Sequence, residues 1–348
     1  MNIIGTTILV LPSLLVKEAE QDAWISAIFT LAVSLPLLWL YLKLHRRYPD
    51  KTIAQITEIA FGKWAGATIS IAILLMYPLL LAALTLRNVG DFLTTQIMQG
   101  TPIEAIHIIF IIVVIYAVRL GLEPIVRVGE LFILIVLAML TIMFVTVIPH
   151  IKVENLFPIL EDGMKPVIRG AIPFIGFPFM ENIFFLMIIP YVKDQARVGR
   201  SLVTGVIIGW FILFILTILT IVVLGTEITA TEMYPSYMLA QKIDIGKLFE
   251  RIEITIAVAW FITSFFRVCF YFYCVIAGIS QMLKLADSRS LTIPLAMIVV
   301  VLSIISSPNT SYLMKIDLTI IPYFNSTFGL VIPVLLLVLT AFRKKAGE

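Results

Sequence analysis

Ten apolar runs, most of them near the ~20 residues a helix needs to cross a hydrocarbon layer, follow one another along this 348-residue chain. They cover roughly 3–16, 23–42, 65–98, 103–118, 124–149, 168–190, 201–224, 252–285, 291–306 and 318–342. Lipid offers no partner to a free backbone amide or carbonyl, so only helices and closed barrels can span it. Barrel strands are shorter and alternate in polarity, whereas the stretch from Phe132 to Leu140 is apolar without interruption. The fold class is therefore all-α, a polytopic membrane protein of about ten transmembrane helices. Composition agrees, because 60% hydrophobic against 14% charged residues leaves too little polar surface to face water.

Charge narrows the function. The net charge is only +3, with no cationic tail or Arg-rich arm, which removes support for nucleic-acid binding. With a cytoplasmic amino terminus, the inner loops and tail hold fifteen Lys and Arg, from Lys43 to Lys345. The outer segments hold eight, including Lys17, Lys152, Lys247 and Arg251. That excess places both termini in the cytoplasm. No P-loop, HExxH, GxSxG or paired-cysteine signature is present, so no enzyme chemistry and no cofactor is expected. Cys269 and Cys274 fall on different helix faces and read as packing. His45, His107 and His150 stand singly near run ends and form no metal site.

Two of the runs are broken in matching places. The first carries Ile4-Gly5-Thr6-Thr7 ahead of Pro12, and the sixth carries Ile175-Gly176-Phe177-Pro178 with Glu181 behind it. Such breaks persist in a membrane only where the freed backbone is buried in protein or lines a wet cavity. Each break opens a set of five runs, 1–149 and 168–342, and each set has a long third member, 65–98 and 252–285. Each of those members contains an arginine, Arg87 and Arg267. Five spans per half force the second half to enter the membrane in the opposite direction, giving the inverted five-plus-five repeat of secondary transporters within one membrane domain, 1–348. The first span looks truncated, since only its later half, Ile8 to Val16, follows the break. Either translation begins further upstream or this form lacks the earlier half. The outer segments 150–167 and 225–251 have room for short surface helices and read equally as a partner surface or as connectors.

Ionisable groups inside spans are functional by default. Glu181 can bind a ligand amine, carry a proton, pair with a basic group or cap freed amides. Arg267 reads as Glu181's partner or as an anchor for a ligand carboxylate, which a planar guanidinium suits. Arg87 and Asp91, one helical turn apart, read as an intrahelical pair or an outer gate. Backbone amides at Gly5-Thr6-Thr7 and Gly176 lie near half-helix amino ends and attract anionic groups. The pairs Gly62/Gly66 and Gly205/Gly209 read as packing devices. Gly176→Leu is expected to destroy any response, and Gly209→Ala to be mild.

The segments Ile4-Gly5-Thr6-Thr7-Ile8-Leu9-Val10-Leu11-Pro12, Gln21-Asp22-Ala23-Trp24-Ile25, Tyr116-Ala117-Val118-Arg119-Leu120-Gly121-Leu122-Glu123 and Phe177-Pro178-Phe179 with Glu181 resemble the endospore germination permease family, the B subunits of nutrient germinant receptors. The resemblance runs from Ile3 to the Arg343-Lys344-Lys345 tail. It implies a LeuT-like fold of the amino acid–polyamine–organocation superfamily in the inner membrane of the spore. It also implies sensing of a small nutrient, often an amino acid, together with A-type and C-type subunits. Members usually carry a longer stretch ahead of the Ile-Gly-Thr segment, in line with the truncated first span. Carried over, the ligand pocket is built from Gly5, Thr6 and Thr7, from Gly176, Phe177 and Glu181, and from Tyr77, Leu81 and Phe266 on the facing third and eighth spans. The alternative function is a proton-coupled amino-acid transporter.

Overall fold

The computed structural model describes residues 1–242 and 252–345, so Lys247 and Arg251, and the last part of the second outer segment, lie outside the described residues. No strand occurs among the described residues, and nine stretches among them are long and apolar enough to cross a membrane. The first of these, Thr7–Arg47, takes in the second run and the first from Thr7 onward. Its helices α1 (Thr7–Ala19) and α2 (Ala23–Arg47) are joined by a turn at Glu20–Asp22, where Glu20 adopts φ 47°.

The third run folds as two helices, α4 (Lys63–Met76) and α5 (Pro78–Phe92), bent at Tyr77. Pro78 explains the bend, since its ring excludes the preceding residue from regular helix and it donates no N–H. Ahead of them the loop after the second run forms α3 (Ile53–Phe61), whose start is fixed by Thr52 and Gln55 bonding reciprocally. Gly66 lets α3 and α4 touch, because a Cβ there would lie 2.4 Å from Glu58 Cα. Then come α6 (Ile103–Leu120) and α7 (Leu122–Val147), both with large exposed apolar side chains such as Ile109, Leu131 and Leu134. In water such a surface would aggregate; against acyl chains it is the expected outer wall.

The second half begins with α8 (Met164–Phe174), followed by an irregular stretch to Tyr191 and by α9 (Gln195–Leu224). The connection after α9 then forms α10 (Thr226–Thr231) and α11 (Pro235–Gln241). A surface position was expected for this segment, yet α11 is buried at Tyr237, Leu239 and Ala240 and packs on α1 and on α12 (Glu253–Leu283), because its apolar face has inner helices to cover. After α13 (Thr292–Ile305), a further helix α14 (Thr310–Thr319) leads into the last span. That span is bent at Ile320–Pro322 into α15 (Ile321–Ser326), a wide turn at Thr327–Val331, and α16 (Ile332–Lys345).

The centre holds α1, α8, α5 and α12. Residues Thr7 to Val16 of α1 are all buried, so this short helix is covered by protein all around. α1 lies against α8, and α12 against α4 and α5, so the heads of the two halves and their long third members meet in pairs. A mainly apolar cleft of about 920 Å³ opens between α7, α9 and residues 185–192, with Met1, Asn2, Ile3 and Ile4 in its wall. Gly209 of α9 touches that wall. A Cβ on it would come within 2.9 Å of Ile3 Cβ and Cγ2, whereas one on Gly205 would meet open space. The mild outcome expected for Gly209→Ala is therefore corrected. It should destabilise by about 1–3 kcal/mol, read as a lower thermal midpoint, with Ile3→Ala in the same chain restoring most of it.

Candidate functional site

The sixth span breaks where its sequence denies it backbone donors. Pro173 and Pro178 have no N–H, and Phe177 between them is extended, at φ −126° and ψ 106°. Beyond the break the chain continues as a tight 3-10 stretch from Met180 to Met187 that carries Glu181. Side chains from other spans take up the loosened carbonyls. Asn325 Nδ2 donates to Gly176 O at 3.0 Å, and the Tyr41 hydroxyl lies 3.0 Å from Met180 O and 2.5 Å from Gly329 O. Gly176 is required by closeness, since a Cβ there would sit 2.9 Å from Pro322 Cα, at the bend of the last span.

The first break faces this one across a single side chain. Residues 2–6 are turns, with Gly5 N–H donating to Met1 O at 2.9 Å, and Arg267 crosses them from α12. A Cβ at Gly5 would fall 2.6 Å from Arg267 Cδ, so glycine is what lets the arm pass. Arg267 Nη1 then donates to Asn2 O at 2.9 Å, and its guanidinium lies 4.5 Å from the centre of the Phe177 ring, a cation–π contact. Its Nη2 donates to Glu181 Oε2, which also accepts from the Tyr271 hydroxyl. Asn325 Nδ2 stands 3.3 Å from the other carboxylate oxygen. The side chains of Arg267 and Glu181 are both fully buried. Two charges at such depth persist only as a hydrogen-bonded pair, because each alone would bear the whole cost of dehydration.

Among the residues singled out from the sequence, Gly5, Gly176, Phe177, Glu181 and Arg267 come together in this cluster. Thr6 and Thr7 head α1 in buried positions, and the Thr7 hydroxyl has no partner. Tyr77 sits at the bend between α4 and α5, its ring stacked on Phe328 at 4.5 Å and 4.8 Å from Phe184. Leu81 lies one turn further along, in the apolar core. Phe266 is not brought in. It turns toward α7, against Phe132 and Gly129, because it neighbours Arg267 in sequence and so projects from another side of α12. Arg87 and Asp91 form the intrahelical pair, at 3.0 Å, and Arg87 also reaches Ile304 O at the end of α13. His107 is buried beside them, hydrogen-bonded to Ser303 at 2.9 Å, rather than lying at the membrane surface.

Tyr271, Asn325, Asn2 and Tyr41 were not foreseen. Tyr271 had a signal, being four residues beyond Arg267 and so on the same helix face. Several buried polar atoms around the cluster lack a partner, including the Tyr77 hydroxyl. A buried hydroxyl without a bond costs about 1–3 kcal/mol. Tyr77→Phe is therefore expected to leave the thermal midpoint unchanged or raise it. A clear fall would mean that the hydroxyl bonds to something in the folded protein.

The sequence agrees with this picture from another direction. A family model described as spore germination protein matches residues 1–311. Spore germination protein KB of Bacillus subtilis (strain 168) is 27% identical over 99% of this chain and 92% of that protein, and spore germination protein YndE of the same organism is 28% identical over 98% and 93%. Spore germination protein XB of Bacillus anthracis is 23% identical over 89% and 87%. An integral membrane protein whose amino-terminal turn meets a broken helix at a buried ion pair, and which the family model matches over residues 1–311, belongs to the spore germination protein family.

Proposed function

We propose that this chain is the membrane-embedded subunit of a nutrient germinant receptor. It binds a small nutrient, in our reading an amino acid, between the broken first and sixth spans, and with A-type and C-type subunits it triggers germination from the inner membrane of the spore. The observation that carries the reading is the polar cluster of Glu181, Arg267, Tyr271 and Asn325, buried where the turn ahead of α1 meets the interrupted sixth span. Polar groups at that depth in a membrane protein mark solute or ion sites. A ligand that favours one arrangement of the breaks shifts the population toward it, and partners read that shift. The inverted repeat and the cytoplasmic placement of both termini belong to the same reading.

Proton-coupled amino-acid transport is the second reading, favoured by a buried carboxylate, Glu181, beside the breaks. Reconstituted liposomes given labelled amino acids with and without a proton gradient, set beside germination of a deletion strain complemented with the chain, separate the two. Loss of nutrient-triggered germination in site variants without any uptake supports sensing. Saturable, gradient-driven uptake that Glu181→Gln abolishes supports transport and would displace the receptor reading.

A further inference from the structure

Three donors converge on the Glu181 carboxylate from two other elements: Arg267 Nη2 and the Tyr271 hydroxyl from α12, and Asn325 Nδ2 from α15. Nothing in this set is particular to a glutamate. A guanidinium, a phenol and an amide N–H would hold any carboxylate placed among them. A ligand amine fits poorly at the same point, because both Glu181 oxygens already accept from these donors. The cluster is also incompletely matched. Arg267 Nε is buried without a partner, as are Asn325 Oδ1 and both polar atoms of the Asn2 side chain, although Arg267 is only 1% and Asn325 0% exposed. An arginine with only a structural role in so dry a place is expected to have its donors matched. The edge of the fork formed by Nε and Nη2 is one that grips a carboxylate in bidentate fashion, and here only Nη2 is engaged. While the pair stands, Arg267 fills the gap between the breaks, as its 2.6 Å approach to the position of a Gly5 Cβ records.

We propose that Glu181 is the resident occupant of a carboxylate seat on Arg267, and that the solute of this site carries a carboxylate which displaces Glu181 from that seat. The inference rests on the pocket reading given above. The solute's carboxylate takes the Arg267 and Tyr271 donors, Glu181 leaves the seat as the neutral acid so that no unpaired carboxylate stays buried, and the unpaired Asn325 Oδ1 stands ready for a donor on the same solute, such as an ammonium group. Glu181 is then a competitor built into the protein, and its hold on Arg267 is subtracted from the affinity of every ligand.

The test uses the full chain in lipid nanodiscs, titrated with each of the twenty standard amino acids, the amides of those that bind, and glucose and adenosine as probes without a carboxylate. Binding is read by calorimetry and by thermal midpoint. Glu181→Gln is expected to bind the active amino acid about tenfold more tightly than the unmodified chain. Arg267→Gln and the double variant Glu181→Gln/Arg267→Gln should lose it, and the amide should bind to none. Should Glu181→Gln fail to fold, Glu181→Asp keeps the charge on a shorter arm and is expected to tighten binding about threefold. Weaker binding in Glu181→Gln or Glu181→Asp, or an amide that binds as well as its acid, overturns the proposal. Binding of glucose or adenosine alone, unchanged by Arg267→Gln, also overturns it while leaving the pocket reading standing. No binding by any probe overturns it as well, and the pocket reading is then judged separately by germination of the Gly176→Leu strain.

Discussion

Arg267→Gln by itself is expected to cost the folded protein about 3–5 kcal/mol, because it leaves the Glu181 carboxylate buried with no cationic partner. Glu181→Gln should cost a similar amount for the mirror-image reason. The double variant Glu181→Gln/Arg267→Gln should recover most of the loss, since two neutral amides can hydrogen-bond to each other, to Tyr271 and to the Asn2 carbonyl without a dehydrated charge. Unfolding midpoints in one lipid or detergent system, combined as a double-mutant cycle, give the coupling directly. A coupling below about 1 kcal/mol would be the value of an exposed pair and would contradict a pair sealed between the two breaks. The double variant carries a second message. A chain that is stable, abundant in the membrane and yet silent to nutrient would locate the response in this cluster rather than in the fold at large.

Gly176→Leu is expected to abolish the germination response. Its Cβ alone would lie 2.9 Å from Pro322 Cα, and backbone cannot turn aside as a side-chain tip can, so the sixth and last spans must separate. The cost of forcing larger groups into a packed interior is about 1–3 kcal/mol and sometimes more, and here it falls on the carbonyl that Asn325 bonds. Gly205→Ala is the matching control, since a Cβ there meets open space. Germination rates of complemented strains, normalised to the amount of the protein in the membrane, decide the matter. Equal responses from the two variants would remove Gly176 from the working site.

Much of this is legible in the sequence. Both breaks could be read because Gly and Pro act locally: Gly5 and Gly176 leave room for a neighbour, and Pro178 withholds a donor, whatever lies around them. The ion pair was present only as one of several readings, because 86 residues separate Glu181 from Arg267 and spacing over that distance says nothing about contact. Tyr271 followed from helix geometry once Arg267 was singled out. Asn325 was the harder loss. It sits in an apolar run with an ordinary Asn-Ser-Thr sequence, and its role comes from the bend at Pro322 that presses it on Gly176. Phe266 is expected at the site from its position along the eighth span, but a helix turns adjacent residues about 100° apart, and the face that carries Arg267 is not the face that carries Phe266. The helices α3 and α14 carry no hydropathy signal because α3 lies outside the long apolar runs and α14 only touches the last one, although Thr52 and Gln55 spell a helix start.

The contacts of Arg267 have a mechanical meaning. One side chain, rooted in the uninterrupted helix α12, is fastened at once to the Asn2 carbonyl, the Phe177 ring and Glu181. The amino-terminal turn and the sixth span are thereby latched to a common pin, and swinging that pin aside unlocks both together. Freeing the Asn2 carbonyl leaves the ion pair whole, whereas parting Arg267 from Glu181 needs another partner for each buried charge, so a substitution at Arg267 is expected to loosen both segments at once.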